Sequence, residues 1–82
     1  DLVKLTPLSF RLLAYLAQNM FRPIPIQELI KEVWEADAWQ GGSEMVKVEI
    51  YRLRKKIESA DKSHRFIQTI RGVGYQFISH PS

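Results

Sequence analysis

Four aliphatic residues, Val46, Ile50, Leu53 and Ile57, recur at steps of four, three and four within the stretch Ser43–Glu58. That spacing draws one apolar stripe along a helix and commits the stretch to a core on that side. Ser43 is placed to cap the helix and Gly41-Gly42 to end whatever precedes it. The opposite side carries Val48, Tyr51, Arg52 and Lys55, with Lys47, Arg54 and Lys56 on the flanks. A cationic face of this kind is either ordinary solvated surface or a surface that meets something anionic. The rest of the chain decides between them.

The charge is unevenly spread. Residues 1–42 hold four Lys/Arg against five Asp/Glu, a net of −1, and residues 43–82 hold eight against four, a net of +4. The positive charge therefore travels with the cationic helix and the C-terminal segment beyond it. The 82 residues suit a single domain that buries about 60–65% of its unfolded surface. There is no cysteine, so no disulfide and no thiolate site, which fits a cytoplasmic protein. No apolar run reaches the roughly 20 residues of a membrane helix, and no signal-peptide pattern opens the chain. The chain starts at Asp1 without Met, which reads as a fragment of something longer.

In order, Asp1–Leu5 reads as a short strand or lead-in. Thr6-Pro7 is a helix start, with a hydroxyl at the cap and proline where its missing N–H costs nothing. The first helix runs from Pro7 to about Asn19, with Leu8, Leu12, Leu13, Tyr15, Leu16 and Met20 on a wide apolar face and Phe10, Ala14 and Ala17 beside them. Phe21–Pro25 holds two prolines and reads as an extended connector. A second helix, Ile26 to about Trp34, turns Ile26, Leu29, Ile30, Val33 and Trp34 inward. Ala36–Gly42 is a loop that contains Trp39. The third helix runs from Glu44 to about Ser59 and ends in a polar turn. Phe66–Ile70 and Tyr75–Ile78 are strands joined by Arg71-Gly72-Val73-Gly74, a hairpin with an arginine at its tip. The expected fold is mainly α with a small β-hairpin. It is a winged helix-turn-helix, three core helices plus a C-terminal wing over 66–78, with residues 1–82 as one domain.

Catalytic chemistry has little to stand on. The two histidines, His64 and His80, fall in turns or tails, and no nucleophile–base set, carboxylate pair or metal-ligand spacing is present. No enzyme activity, cofactor or metal is expected. Nucleic acid is the better partner, for three physical reasons. A basic helix neutralises phosphates and releases counterions. Arg52 and Lys55 can reach base edges or phosphates, and Val48 beside them can meet a thymine methyl. Arg71 at a hairpin tip suits the negative potential of a narrow minor groove. Glu44 and Glu49 place carboxylates on or near the same side. Glu44 suits the positive end of the helix dipole, and Glu49 suits a pair with Arg52 or an acceptor role toward cytosine N4.

At Leu5-Thr6-Pro7, Phe10–Leu13, Glu28–Ile30 with Val33-Trp34, Val46–Glu58 and Thr69–Phe77, the chain resembles the effector domain of OmpR/PhoB-type bacterial transcription regulators. The Arg-Leu-Arg-Lys-Lys helix end and the Arg-Gly-Val-Gly-Tyr hairpin are its most specific parts. The resemblance implies sequence-specific double-stranded DNA binding within a two-component regulatory system, with the third helix in the major groove and the wing at the minor groove. It implies base contacts from Val48 and Arg52, with phosphate contact or its support from Arg54, Thr69 and Tyr75. Lys47, Tyr51 and Lys55 complete the helix face, and Arg71 is the wing residue. Trp34 and the loop after it, with Glu35, Asp37 and Trp39, would correspond to a segment that contacts RNA polymerase. Dimers on repeated half-sites are also implied. The chain departs from the family pattern with Glu44 for an arginine, Lys47 for an aspartate, Glu49 for a histidine and Pro25 for a hydroxyl cap. A rival reading makes the winged helix a protein-interaction module, with Trp39 or Tyr51 as its anchor.

Overall fold

The computed structural model describes residues 4–34, 42–58 and 66–78. Helix α1 spans Pro7–Gln18, and the Thr6 hydroxyl accepts from the Ser9 backbone N–H at 3.1 Å, as the Thr6-Pro7 pair predicts. Its inward register is Ser9, Leu12 and Leu16, positions spaced by three and four. Phe10 and Met20, expected beside the core, lie outside that register and are exposed. Lys4 and Leu5 form no strand.

Two residues of the predicted connector do more than connect. Ile24–Pro25 is a strand, β1, paired with the hairpin. The hairpin strands are β2, Ile67–Ile70, and β3, Gly74–Phe77, and the sheet order is β1-β3-β2 with both pairings antiparallel. The wing is thus the larger part of a three-stranded sheet, where two strands were expected. Pro25 is tolerated because β1 is an edge strand, where a missing N–H need not break a ladder. Before β1, Phe21 takes a left-handed φ of 68° and donates its N–H to the Phe77 carbonyl at 2.9 Å, which ties the end of the first helix to β3.

Helix α2 covers Ile26–Leu29 and widens into a π-helix over Ile30–Trp34. Leu29, Ile30 and Val33 are buried, and Ile26 and Trp34 pack half-buried against them. The Val33 carbonyl belongs to the last turn, which has no later N–H within the helix to accept from. Arg11 of α1 donates to it at 2.5 Å.

Helix α3 spans Gly42–Ile57, so Ser43, expected as its cap, lies inside the first turn. Gly42, with φ of 51°, supplies the left-handed backbone that starts the helix. Val46, Ile50 and Leu53 are buried and Ile57 is half-buried, as the stripe requires. They join Leu12, Leu16, Ile24, Leu29, Ile30, Val33, Ile67 and Tyr75 in one core. At the far end of α3 the Glu58 carboxylate accepts from the Phe66 and Ile67 N–H groups at 2.8 and 3.0 Å, fixing where β2 starts.

A polar cluster closes the surface between α1 and α2. Glu28 accepts from the Tyr15 hydroxyl and from Arg22 at 2.5 Å, and Arg22 also donates to the Asn19 side chain at 3.1 Å. The Arg22 guanidinium, then the Tyr15 hydroxyl, hold the Glu28 carboxyl below its ordinary value, and the same carboxylate raises the Tyr15 hydroxyl. A carboxyl depressed in the folded state adds stability above its unfolded value and loses it as pH falls through the folded one. Thermal melts should therefore show Glu28→Gln less stable than the parent near neutrality, with the gap closing as the pH drops below the ordinary carboxylate range. A constant gap would mean that Glu28 acts only through its shape.

Candidate nucleic-acid interface

With its aliphatics pinned inside, α3 presents Lys47, Val48, Tyr51, Arg52 and Lys55 to solvent. Val48 is 46% exposed and Tyr51 62%, well beyond what packing against the domain would leave. The Arg52 side chain is 67% exposed. The Lys55 ammonium lies 5.4 Å from the centre of the Tyr51 ring, so the two share one cation–π ledge. Lys47 pairs with Glu44 at 3.5 Å one turn earlier, both in solvent. An exposed i,i+3 pair of this kind is weak and breaks readily for a better anion.

The wing stands beside this face. Ile70, Arg71, Gly72 and Val73 form its turn, closed by a 3.0 Å bond from the Val73 N–H to the Ile70 carbonyl. Gly72 has a φ of 78°, the value that the third position of a type II turn demands. Arg71 is consequently held outward at the tip. Lys47 of α3 and Thr69, Ile70, Arg71 and Tyr75 of the wing line one open recess between helix and hairpin.

Arg54 is a strut across that junction. Its guanidinium donates to the Thr69 hydroxyl at 2.8 Å and the Ile67 carbonyl at 3.1 Å, and sits 5.7 Å from the centre of the Tyr75 ring. The arrangement brings Arg54, Thr69 and Tyr75 together at one place. Tyr75 is 6% exposed and belongs to the core, where its ring lies against the Arg54 guanidinium. The strut ties α3 to the wing.

Glu49 takes up the pairing expected of it and adds a second contact. It is 7% exposed, with one carboxylate oxygen taking the Ser9 hydroxyl of α1 at 2.5 Å and the other facing Arg52 at 3.7 Å. The expected pair with Arg52 is present. Ser9 escaped the sequence reading, although a signal existed. It shares the inward register of Leu12 and Leu16, and Glu49 sits three residues after Val46 and four before Leu53. Two polar residues at inward positions of neighbouring helices invite a buried bond. Trp34 is half-buried against the core. Glu35, Asp37 and Trp39 of the expected polymerase loop lie outside the described residues, as do His64 and His80. Among the described residues no group of acidic, histidine or cysteine side chains could hold a metal, and no helix is long and apolar enough to cross a membrane.

Known proteins resemble this chain in sequence and in fold. Residues 1–77 match the family described as "Transcriptional regulatory protein, C terminal". The transcriptional regulatory protein AfsQ1 of Streptomyces coelicolor is 39% identical over 74 residues, which is 90% of this chain and 32% of that protein. This chain spans about a third of the length of the curated relatives it matches. Among solved structures, the DNA-binding domain of Escherichia coli CadC superposes with a TM-score of 0.83 at 27% identity, over 94% of this chain and 71% of the other. The Klebsiella pneumoniae RstA DNA-binding domain, solved in complex with the RstA box, gives 0.80 at 31% identity, over 95% and 76%. On the match across 77 of its residues, the chain belongs to the family of transcriptional regulatory protein C-terminal domains, the winged-helix, DNA-binding part of such regulators.

Proposed function

We propose that the chain is the sequence-specific double-stranded DNA-binding unit of a longer two-component regulator, with α3 in the major groove and the wing tip at the minor groove. The observation that carries this reading is the exposed row Lys47, Val48, Tyr51, Arg52 and Lys55 on α3, beside an outward Arg71. Arg52 and Val48 read base edges, while Lys47, Tyr51 and Lys55 meet phosphates and Arg71 enters the minor groove. Arg54, Thr69 and Tyr75 hold the helix and wing at the angle this requires. Residues 1–82 act as one domain without catalysis, in the cytoplasm. Pairs of the whole regulator sit on repeated half-sites, and Trp34 with residues 35–42 meets RNA polymerase.

Titration of duplex DNA at several salt concentrations tests the reading. Log affinity should fall linearly with log salt, with a slope of about −0.9 per phosphate neutralised. No binding to any duplex at low salt would overturn the reading and favour a protein-interaction module. Arg52→Ala should cost about 1–3 kcal/mol on the preferred duplex and relax preference at one base position. Equal weakening on every duplex would reassign Arg52 to phosphate.

A further inference from the structure

Arg52 is exposed, and a buried carboxylate faces it from one turn earlier. We propose that Glu49 is the positioning residue for Arg52. Clamped by Ser9, it holds the guanidinium in the pose that meets a base edge and withholds it from phosphate. The inference rests on the reading of α3 as the base-reading helix.

Burial sets the first constraint. Burying a carboxylate is costly unless it is hydrogen-bonded and paired. Ser9, itself 2% exposed on α1, takes one oxygen of Glu49 at 2.5 Å, so the carboxylate cannot follow an outward swing of Arg52. The other oxygen remains facing the Arg52 guanidinium at 3.7 Å, an ion pair one turn along the helix. Among the described residues Glu49 is the carboxylate paired with Arg52. Lys55, one turn on, has no carboxylate paired with it there and lies over Tyr51.

Recognition is affected in two ways. A side chain restrained before binding loses less freedom on binding, which favours the one geometry that fits. The fixed negative charge beside Arg52 also subtracts from its attraction to any phosphate, a term that is blind to sequence. Glu49 therefore gives up general affinity for discrimination without touching DNA. Specificity can be raised in this way by weakening the wrong complexes.

The test measures affinity for the duplex recovered by selection from a random pool and for a scrambled duplex of the same composition. It uses the parent, Glu49→Gln, Arg52→Ala and the double variant, with a thermal melt of each. Glu49→Gln keeps the volume and an acceptor for Ser9 but removes the charge. It should lower the selected-to-scrambled ratio about ten-fold, the scale of one good bidentate base contact. The scrambled duplex should bind as tightly as before or tighter, with a salt slope steeper by about 0.9. In the Arg52→Ala background the same change should leave the ratio untouched, because the group that it positions is gone. A purely structural role would instead weaken both duplexes together and persist in that background, which would overturn the proposal. An unchanged ratio in Glu49→Gln, with Arg52→Ala still lowering it, would overturn the positioning role alone. A parent that binds no duplex would overturn the DNA reading as well. If Glu49→Gln fails to fold, Ser9→Ala releases the same carboxylate from α1 and must lower the ratio in the same Arg52-dependent way.

Discussion

Leu53→Ala should destabilise the domain by about 2–5 kcal/mol, because Leu53 is fully buried and truncating it leaves a cavity that its neighbours fill only in part. For a chain of this size each kilocalorie moves the melting temperature by roughly 4–8 °C, so a thermal melt should drop by about 10 °C or more. Leu53 lies on the inward stripe of the same helix whose other side carries Arg52 and Lys55. Any loss of DNA affinity should therefore follow the fraction of folded protein and be equal for all duplexes. A melt unchanged from the parent would mean that α3 faces the other way.

Gly74→Ala should be nearly as damaging, for a different reason. A Cβ on Gly74 would lie 2.0 Å from the Ile24 carbonyl oxygen and 2.9 Å from the Ile26 nitrogen. Both are backbone atoms, one in β1 and the other at the start of α2, so no rotamer change relieves the clash. Overpacking of this kind costs about 1–3 kcal/mol and more where backbone must move. The displaced segment is the one that joins the hairpin to α2, and amide exchange at Ile24 and Ile26 should speed up with the loss. Gly72→Ala is the internal comparison. Its Cβ would meet nothing within 4 Å, and its cost is the left-handed φ of 78°, about 1–2 kcal/mol. Equal effects at the two glycines would show that β1 does not press on β3.

The two glycines also mark how far the sequence could be read. Arg-Gly-Val-Gly was legible as a turn, because glycine at the third position is local turn chemistry. The task of Gly74 was not, since it depends on a strand some fifty residues earlier in the chain, a separation read from 24 to 74. That strand, Ile24–Pro25, is too short to carry a period of two and sits in a proline-rich connector, so nothing local announces it. Helix α1 was legible because Thr6-Pro7 caps it locally, and α3 because its stripe repeats over about three turns. Phe10 was misplaced because α1 is apolar on more sides than it buries. The exposed face of α3 could be read directly as the complement of its stripe. Glu49 could not, because its place at the edge of that stripe acquires meaning from Ser9, forty residues away in the chain.

Which face of the domain meets DNA is the central question, and amide chemical shifts of the protein titrated with its selected duplex measure it directly. The largest changes should fall on residues 47, 48, 51, 52 and 55 of α3 and on 70–72 at the wing tip, with the buried positions 46, 50 and 53 changing less. Changes concentrated instead around Phe10, Met20 and Phe21, with the outward row of α3 unmoved, would contradict it.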